Sequence, residues 1–304
     1  MQERYGSGEG FPGTGRANRA NAQETAMMRR AAAGIAAAGM LAVWAAEAPP
    51  AEWPLRVAFR LAPNVGYAVH VDGFGEPRGL LVSPAGDLYV ADRKRNEVVR
   101  IGQDGRREVL TREVVGPGDL AINALGMLYV AATERNQVLR VSVHGVAYLY
   151  LDRLQGPASL AFDALGNLLV CEPPAGVIRA FSGPGPGRVF ARAERPHGLA
   201  FAREGVALVV EHGPGRILRV QPDGRTEPFA EGLQGPEGIA IGPSGDLYVA
   251  EARAGRISRI GPAGGRQTVA EGLSDPRNPA FDAFGQLFVA ESGAGRVLRF
   301  TGDF

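Results

Sequence analysis

The stretch GPEGIAIGPSGDLYVAEARAGRISRIGPAGGRQTVAEGLS, Gly235–Ser274, decides the fold. Within it glycine and proline separate three short alternating apolar runs, GIAI, LYVA and RISRI, and a weaker fourth, RQTVA. Alternation over a few residues between turn formers marks half-buried strands, so the stretch reads as one small four-stranded antiparallel sheet. The unit recurs along the chain. A proline opens each copy, at Pro77, Pro117, Pro157, Pro196, Pro236 and Pro276, and the intervals are 40, 40, 39, 40 and 40 residues. A fixed period with four strands in each unit means a repeat architecture.

The two ends of the chain say how the repeats close. The last unit, Pro276–Phe304, stops after its third strand-like run, RVLRF, and lacks a fourth. Gly66–Gly75, GYAVHVDGFG, resembles the fourth-strand segments RQTVAEGLS and RTEPFAEGLQ, yet it precedes the first unit. If it completes the last sheet, the sheets form a ring and no exposed edge remains to recruit other chains. The expected fold is therefore all-β: a six-bladed β-propeller of four-stranded antiparallel blades over residues 66–304, closed by an N-terminal strand.

Composition agrees and narrows the partners. Among 304 residues there are 43 glycines and 22 prolines, which suit many turns rather than long helices. With 33 basic against 32 acidic side chains, no net field draws the molecule onto a polyanion, and nucleic acid is not an expected partner. The single cysteine, Cys171, lies in the apolar run LLVC, where a buried thiol is ordinary.

Residues 1–65 do not share the repeat. Residues 1–26 are polar, glycine-rich and without apolar periodicity, the composition of a disordered extension. Residues 27–48 begin Met27-Met28-Arg29-Arg30 and continue with sixteen uncharged residues, Ala31–Ala46. A basic flank, a short apolar run and small residues at its end make a secretory signal peptide. An uncleaved membrane anchor is the second option, though about 1.5 Å per residue leaves a sixteen-residue helix short of a hydrocarbon core of about 30 Å. A soluble alanine-rich helix is the third. The first two place the propeller outside the cytoplasm, secreted or held at a membrane. Residues 49–65 read as a linker, within which Leu55–Leu61 alternates enough to form one extra strand.

The pattern G-P-x-G-I-A-x-x-x-x-G-x-L-Y-V-A-[DE] followed by R-I resembles the NHL repeat and its relatives in the regucalcin and gluconolactonase group. The resemblance implies the propeller but no one chemistry. Similar propellers include lactone and ester hydrolases, strictosidine synthase-like proteins, virginiamycin B lyase and interaction modules without activity.

Symmetry separates scaffold from site. Asp92, Ala132, Glu172, Glu211, Glu251 and Glu291 stand fifteen residues after the unit prolines. Arg100, Arg140, Arg179, Arg219, Arg259 and Arg299 recur on the third strands. Residues common to nearly every blade are expected to serve every blade, with the acid holding the second and third strands in register as an exposed pair worth about 0–1 kcal/mol. Pattern-breaking residues cluster just after the unit prolines, where the innermost strands should surround one mouth of the channel. They are Arg78, Gly118-Asp119, Ala158-Ser159, His197, Glu237 and Arg277-Asn278, joined by His212 from the connection after a second strand. His70 and His144 fall on outer segments and carry no such expectation.

Ligand-binding candidates are thus Arg78, Asp119, His197, His212, Glu237, Arg277 and Asn278, and the catalytic candidates are His197 and Glu237. Imidazole and carboxylate from different blades can bind a divalent cation or act as base and orienting partner. The resemblance implies metal ligands at these same strand entries: a glutamate near G-E-x-P, an asparagine in N-D, an asparagine in N-G-L and an aspartate in P-D-G. Here Pro196-His197-Gly198-Leu199 has histidine for the third and Pro236-Glu237-Gly238 has glutamate for the last. Gly118-Asp119 keeps only the second residue of N-D, and Gly75-Glu76-Pro77 is shifted by one. One divalent metal ion held by His197, Glu237 and Asp119 would have a nitrogen-richer environment suited to zinc or another transition ion. Two functions follow. The expectation from sequence is an extracytoplasmic, monomeric propeller that binds a small, anionic ligand or a partner segment at its mouth, with Arg78 and Arg277 holding a carboxylate or phosphate. The alternative is a metal-dependent lactone or ester hydrolase, and a virginiamycin B lyase-like enzyme is a third, smaller option.

Overall fold

A computed structural model of the chain describes residues 59–202, 205–302 and 304. The expected extension at 1–26, the signal or anchor at 27–48 and most of the linker lie outside these residues. The rest is a six-bladed propeller. Blade 1 consists of Pro77–Val82, Leu88–Asp92, Glu97–Ile101 and Arg107–Thr111, paired in that order from the inside outwards. Blades 2 to 5 repeat the arrangement, starting from the inner strands Pro117–Ile122, Ser159–Phe162, Pro196–Phe201 and Pro236–Ile241. Blade 6 is built from Pro276–Phe281, Leu287–Glu291 and Arg296–Thr301, and its fourth strand is Gly66–Val71 from the other end of the chain. The inner strands touch their neighbours in one closed circuit from blade 1 through blade 6 and back.

Each middle strand is buried on both sides because a blade is sandwiched between two others. Period-two alternation sends Leu168 and Val170 towards blade 2, into a cluster with Ala131, Val138 and Leu151. Leu169 and Cys171 point the other way, towards Leu199, Val209 and Leu218 of blade 4. Burial, with Asp119 and Glu172 nearby, pushes the Cys171 thiol far above its ordinary range, and the residue is a core hydrophobe rather than a nucleophile.

The extra strand expected within Leu55–Leu61 is described over its last two residues, and the repeat acids differ from the sequence reading. Arg60–Leu61 pairs with Arg266–Glu271, so blade 5 gains a fifth strand at its outer edge. Phe59 packs edge-on against Tyr67 at 4.6 Å, so the packing of the propeller reaches back beyond residue 66. The repeat acids also do more than an exposed pair does. Asp92, Glu172, Glu211, Glu251 and Glu291 are only 0–1% exposed. Each accepts a backbone N–H from the chain just before its own blade's proline: Gly75 and Glu76 on Asp92 at 2.7 and 2.9 Å, and Gln155, Gln234 and Ser274 on Glu172, Glu251 and Glu291 at 2.7 Å. Glu194 N–H does the same for Glu211. The acid therefore pins the entry to the inner strand. Its arginine is Arg216, Arg256 or Arg296 at the start of the third strand, and only blade 3 uses the repeat arginine, Arg179. Arg100 and Arg219 turn outward to Asp87 and Glu227, and Arg259 reaches Asp246.

His70 rests edge-on against Phe288 on the outer strand of blade 6, and His144 is exposed in a turn. Among the described residues no helix is long and apolar enough to cross a membrane.

Candidate functional site

The inner strands carry an irregularity that the sequence period hides. In blades 2, 4, 5 and 6 the residue three places after the unit proline pairs only two places along its partner; blade 5 shows it as Pro236↔Glu251 followed by Ile239↔Val249. Blade 1 slips similarly between Pro77 and Gly79. One extra residue on the inner strand is a β-bulge, which breaks strict alternation and re-aims side chains. As a result the two residues after each proline both face one cavity of about 270 Å³ at the channel mouth.

The first of these residues forms an upper ring: Arg78, Gly118, Ala158, His197, Glu237 and Arg277. The second forms a lower ring: Gly79, Asp119, Ser159, Gly198, Gly238 and Asn278. The lower ring closes the channel. Asp119 Oδ2 accepts from Ser159 Oγ at 2.7 Å and Leu160 N at 3.1 Å, while Oδ1 accepts from Leu120 N and Asn278 Nδ2, both at 2.8 Å. Blades 2, 3 and 6 are thereby joined across the axis. Glycine elsewhere in this ring is sterically required: a Cβ on Gly198 would lie 2.7 Å from Glu237 O, and one on Gly238 would lie 2.6 Å from Asn278 Oδ1. Burial pushes the Asp119 carboxyl above its ordinary range, although its four donors pull it back in part.

The upper ring holds the charge. Glu237 Oε2 is 2.9 Å from His197 Nδ1, and Oε1 is 2.5 Å from Arg277 Nη1 and 3.3 Å from His212 Nδ1. The two imidazoles stack with centroids 4.8 Å apart. Burial alone would raise the Glu237 carboxyl, but the hydrogen bond from His197 and the charges of Arg277 and the two histidines hold it down at about 2. It is an anion at any physiological pH. Since an ionised carboxylate only accepts, His197 Nδ1 carries the proton, and Nε2 is the nitrogen left to accept. No described residue occupies it.

His212 has a different job. Its Nδ1 lies 3.1 Å from Pro236 O, the carbonyl of the next blade's proline. Equivalent residues elsewhere make the same bond: Thr133 donates to Pro157 O at 2.8 Å, and Ser292 donates to Pro77 O. His212 is thus an interblade latch that also backs Glu237.

This geometry bears on a metal. Donor atoms of His197, His212 and Glu237 all lie within 4.8 Å of one another, close enough for one ion. Asp119 is not among them, and both its carboxylate oxygens accept from Ser159, Asn278 and the backbone of Leu120 and Leu160. Of the three, His212 Nδ1 is committed to Pro236 O and Glu237 Oε1 already carries the Arg277 guanidinium. A cation on those two atoms would compete with Pro236 O and with Arg277, and the arrangement of the residues is that of an ion-paired histidine–carboxylate couple.

The anion-binding expectation meets a similar obstacle. Arg78 is bound by Glu76 at 2.6 Å, Arg93 by Glu134 at 3.2 Å, and Arg277 by Asp275 at 3.0 Å as well as by Glu237. Every arginine lining the cavity is already paired. Sequence reasoning found Arg78, Asp119, His197, His212, Glu237, Arg277 and Asn278. It weighed Glu76 only as a shifted match to a metal ligand, passed over Asp275, and treated Ser159 only as an oddity; Glu76 and Asp275 neutralise the arginines, and the position of all three beside or two residues from the unit prolines was the available signal.

Comparisons with known proteins agree with this architecture. The model of the strictosidine synthase-like N-terminal family matches residues 229–260. No curated protein matches the chain in sequence. Among solved structures, a gluconolactonase from Xanthomonas campestris is similar with a TM-score of 0.71 at 18% identity, over 80% of this chain and 91% of that one. A catalytically inactive histidine-to-alanine variant of virginiamycin B lyase from Staphylococcus aureus, bound to quinupristin, is similar with a TM-score of 0.60 at 18% identity, over 75% and 80%. The PQQ-bound aldose sugar dehydrogenase of Streptomyces coelicolor is similar with a TM-score of 0.65 at 19% identity, over 80% and 100%. At these identities the likeness concerns the fold.

Proposed function

We propose that the chain is an acid–base enzyme that opens a small, uncharged lactone or ester bound at the channel mouth. The observation that carries this reading is the contact at 2.9 Å between His197 Nδ1 and Glu237, with Nε2 left unpartnered beside a cavity. A carboxylate on Nδ1 fixes the tautomer and stabilises the imidazolium, the usual way of making a histidine a directed base. Glu237 is well suited to that role because Arg277 and the hydrogen bond from His197 keep it ionised against the cost of its burial. His197 Nε2 takes a proton from water as the water oxygen bonds to the ester carbonyl carbon and the carbonyl π pair moves to oxygen. Collapse re-forms the carbonyl, breaks the C–O bond to the leaving alkoxide, and returns the proton from the imidazolium to it.

An uncharged substrate follows from the paired arginines, since an anion would have to compete with Glu76, Asp275 and Glu237. The same argument disfavours PQQ, a tricarboxylate. The gluconolactonase neighbour lends the lactone class, and the lyase neighbour shows a propeller of this shape that loses activity with one histidine. Activity of the purified chain on a panel of lactones and aryl esters tests the proposal. His197→Ala should lower kcat/KM by about 10²–10⁴-fold, the ordinary worth of a positioned base. Turnover that survives His197→Ala, or near-stoichiometric metal lost in that variant, would overturn it. We further propose that the propeller works outside the cytoplasm as a monomer, on the strength of the basic-then-apolar pattern in residues 27–48. An alkaline phosphatase fusion to residues 1–58 that stays inactive in cells would refute the location, and a dimeric mass by light scattering would refute the monomer.

A further inference from the structure

The cavity is not symmetric about the channel axis. Beyond the two rings, its remaining wall comes from blades 1 to 3 alone: Arg93, Thr133, Gly156, Pro173 and Pro174. The corresponding loops of blades 4 to 6 do not line it. The upper ring is uneven too: blades 4, 5, 6 and 1 carry His197, Glu237, Arg277 and Arg78, with Arg93 beside Arg78 on blade 1, while blades 2 and 3 offer only Gly118 and Ala158. One half of the mouth therefore carries all the ring's charge and the other is a shelf of small residues and proline.

The shelf is apolar in its chemistry as well as its composition. Pro173 and Pro174 have no N–H to offer. Three donors beside them are already used: Ala158 N–H donates to Cys171 O at 3.0 Å, Gly156 N–H to Asn136 Oδ1 at 2.8 Å, and Thr133 Oγ1 to Pro157 O at 2.8 Å. An acceptor laid on this surface would lose hydrogen bonds to water and find these donors committed elsewhere, whereas an apolar group gains by leaving water. The floor beneath is closed by Asp119, Ser159 and Asn278, so a ligand cannot pass through and must lie across the mouth.

We infer that the mouth binds its substrate in one orientation, with the ester or lactone group against His197 and an alkyl or aryl substituent on the Ala158–Pro174 shelf. This rests on the proposed reaction for its polar half only. The enzyme is then selective for lactones or esters with an apolar branch over small or polyhydroxylated ones.

The test uses the full chain and three probes of rising alkyl length: γ-butyrolactone, γ-hexanolactone and γ-octanolactone. The quantity read is the ratio of kcat/KM between the longest and the shortest, which should rise by up to about fourfold for each methylene the shelf covers. Ala158→Phe fills the shelf and should bring the ratio close to one. Pro174→Asp, at a half-exposed loop where folding is less at risk, should push it below one by placing a charge there. Affinities of the same probes for His197→Ala, measured by calorimetry, separate this inference from the proposed reaction. If affinity rises with length and Ala158→Phe removes the rise, the shelf stands even when no lactone is turned over. A length-independent affinity, absence of binding, or an Ala158→Phe effect equal for all three probes overturns it, even when hydrolysis is observed.

Discussion

Replacing Glu237 by glutamine tests whether the carboxylate at the mouth is held ionised by its neighbours. Its carboxyl falls from an ordinary value of 4.5 to about 2 on folding. At about 1.36 kcal/mol per pH unit, that difference contributes about 3 kcal/mol to the native state. No screening discount applies, because the side chain is only 13% exposed. The folded pKa lies below the unfolded one, so the contribution is complete above pH 4.5 and fades as pH falls towards 2. Glutamine keeps the volume and can still accept from His197 Nδ1, but its amide N–H₂ faces the Arg277 guanidinium, donor against donor. Urea unfolding of both proteins should therefore give a stability gap of about 3 kcal/mol at pH 7 that narrows towards zero as the pH is lowered from 5 to 2. Other acids titrate in this window, Glu251 among them with its carboxyl held down. They cancel in the difference between the two proteins. A gap that stays constant across the window would refute the reasoning, because it would mean that the loss comes from shape and not from charge.

Three other substitutions test the scaffold assignments. Asp119→Asn removes a charge that burial disfavours, yet all four partners of Asp119 are donors and Leu160 N–H cannot turn away; a loss of about 1–3 kcal/mol in urea is expected, and a stabilised variant would contradict the polar floor. His212→Thr should preserve the latch to Pro236 O in the manner of Thr133 and keep most of the turnover, whereas a metal ligand at this position would make the same change abolish it. Glu251→Ala leaves Arg256, Ser258 Oγ and Gln234 N–H without their acceptor and should cost about 3–5 kcal/mol, well outside the range of an exposed pair.

The propeller was legible because its determinants are local. Alternating runs, glycine turns and the interval between prolines are properties of neighbouring residues, and the missing fourth strand at one end matched the surplus strand at the other. The burial of the acids was not legible, since a glutamate after LYVA looks the same in sequence whether it faces water or the segment entering its own blade. Only the third dimension brings Gln234 N–H to Glu251 across seventeen residues.

At the mouth the limit was finer. Broken symmetry located the right strand entries, and it paired His197 with Glu237 from adjacent blades. It merged two layers into one, however, placing Asp119 beside His197 and Glu237 as a joint ligand set. The two positions after each proline, set apart by a bulge in every blade but the third, separate them: the first residue joins the upper ring, the second the floor. That separation changes the role of Asp119, which in the floor braces three blades. The position that would have served a cation is held instead by Arg277, which has no proton to lose in this pH range and ties Glu237 to Asp275. With the carboxylate so fixed, the one group at the mouth still free to exchange a proton with a ligand is His197 Nε2, and the function of the molecule turns on that atom.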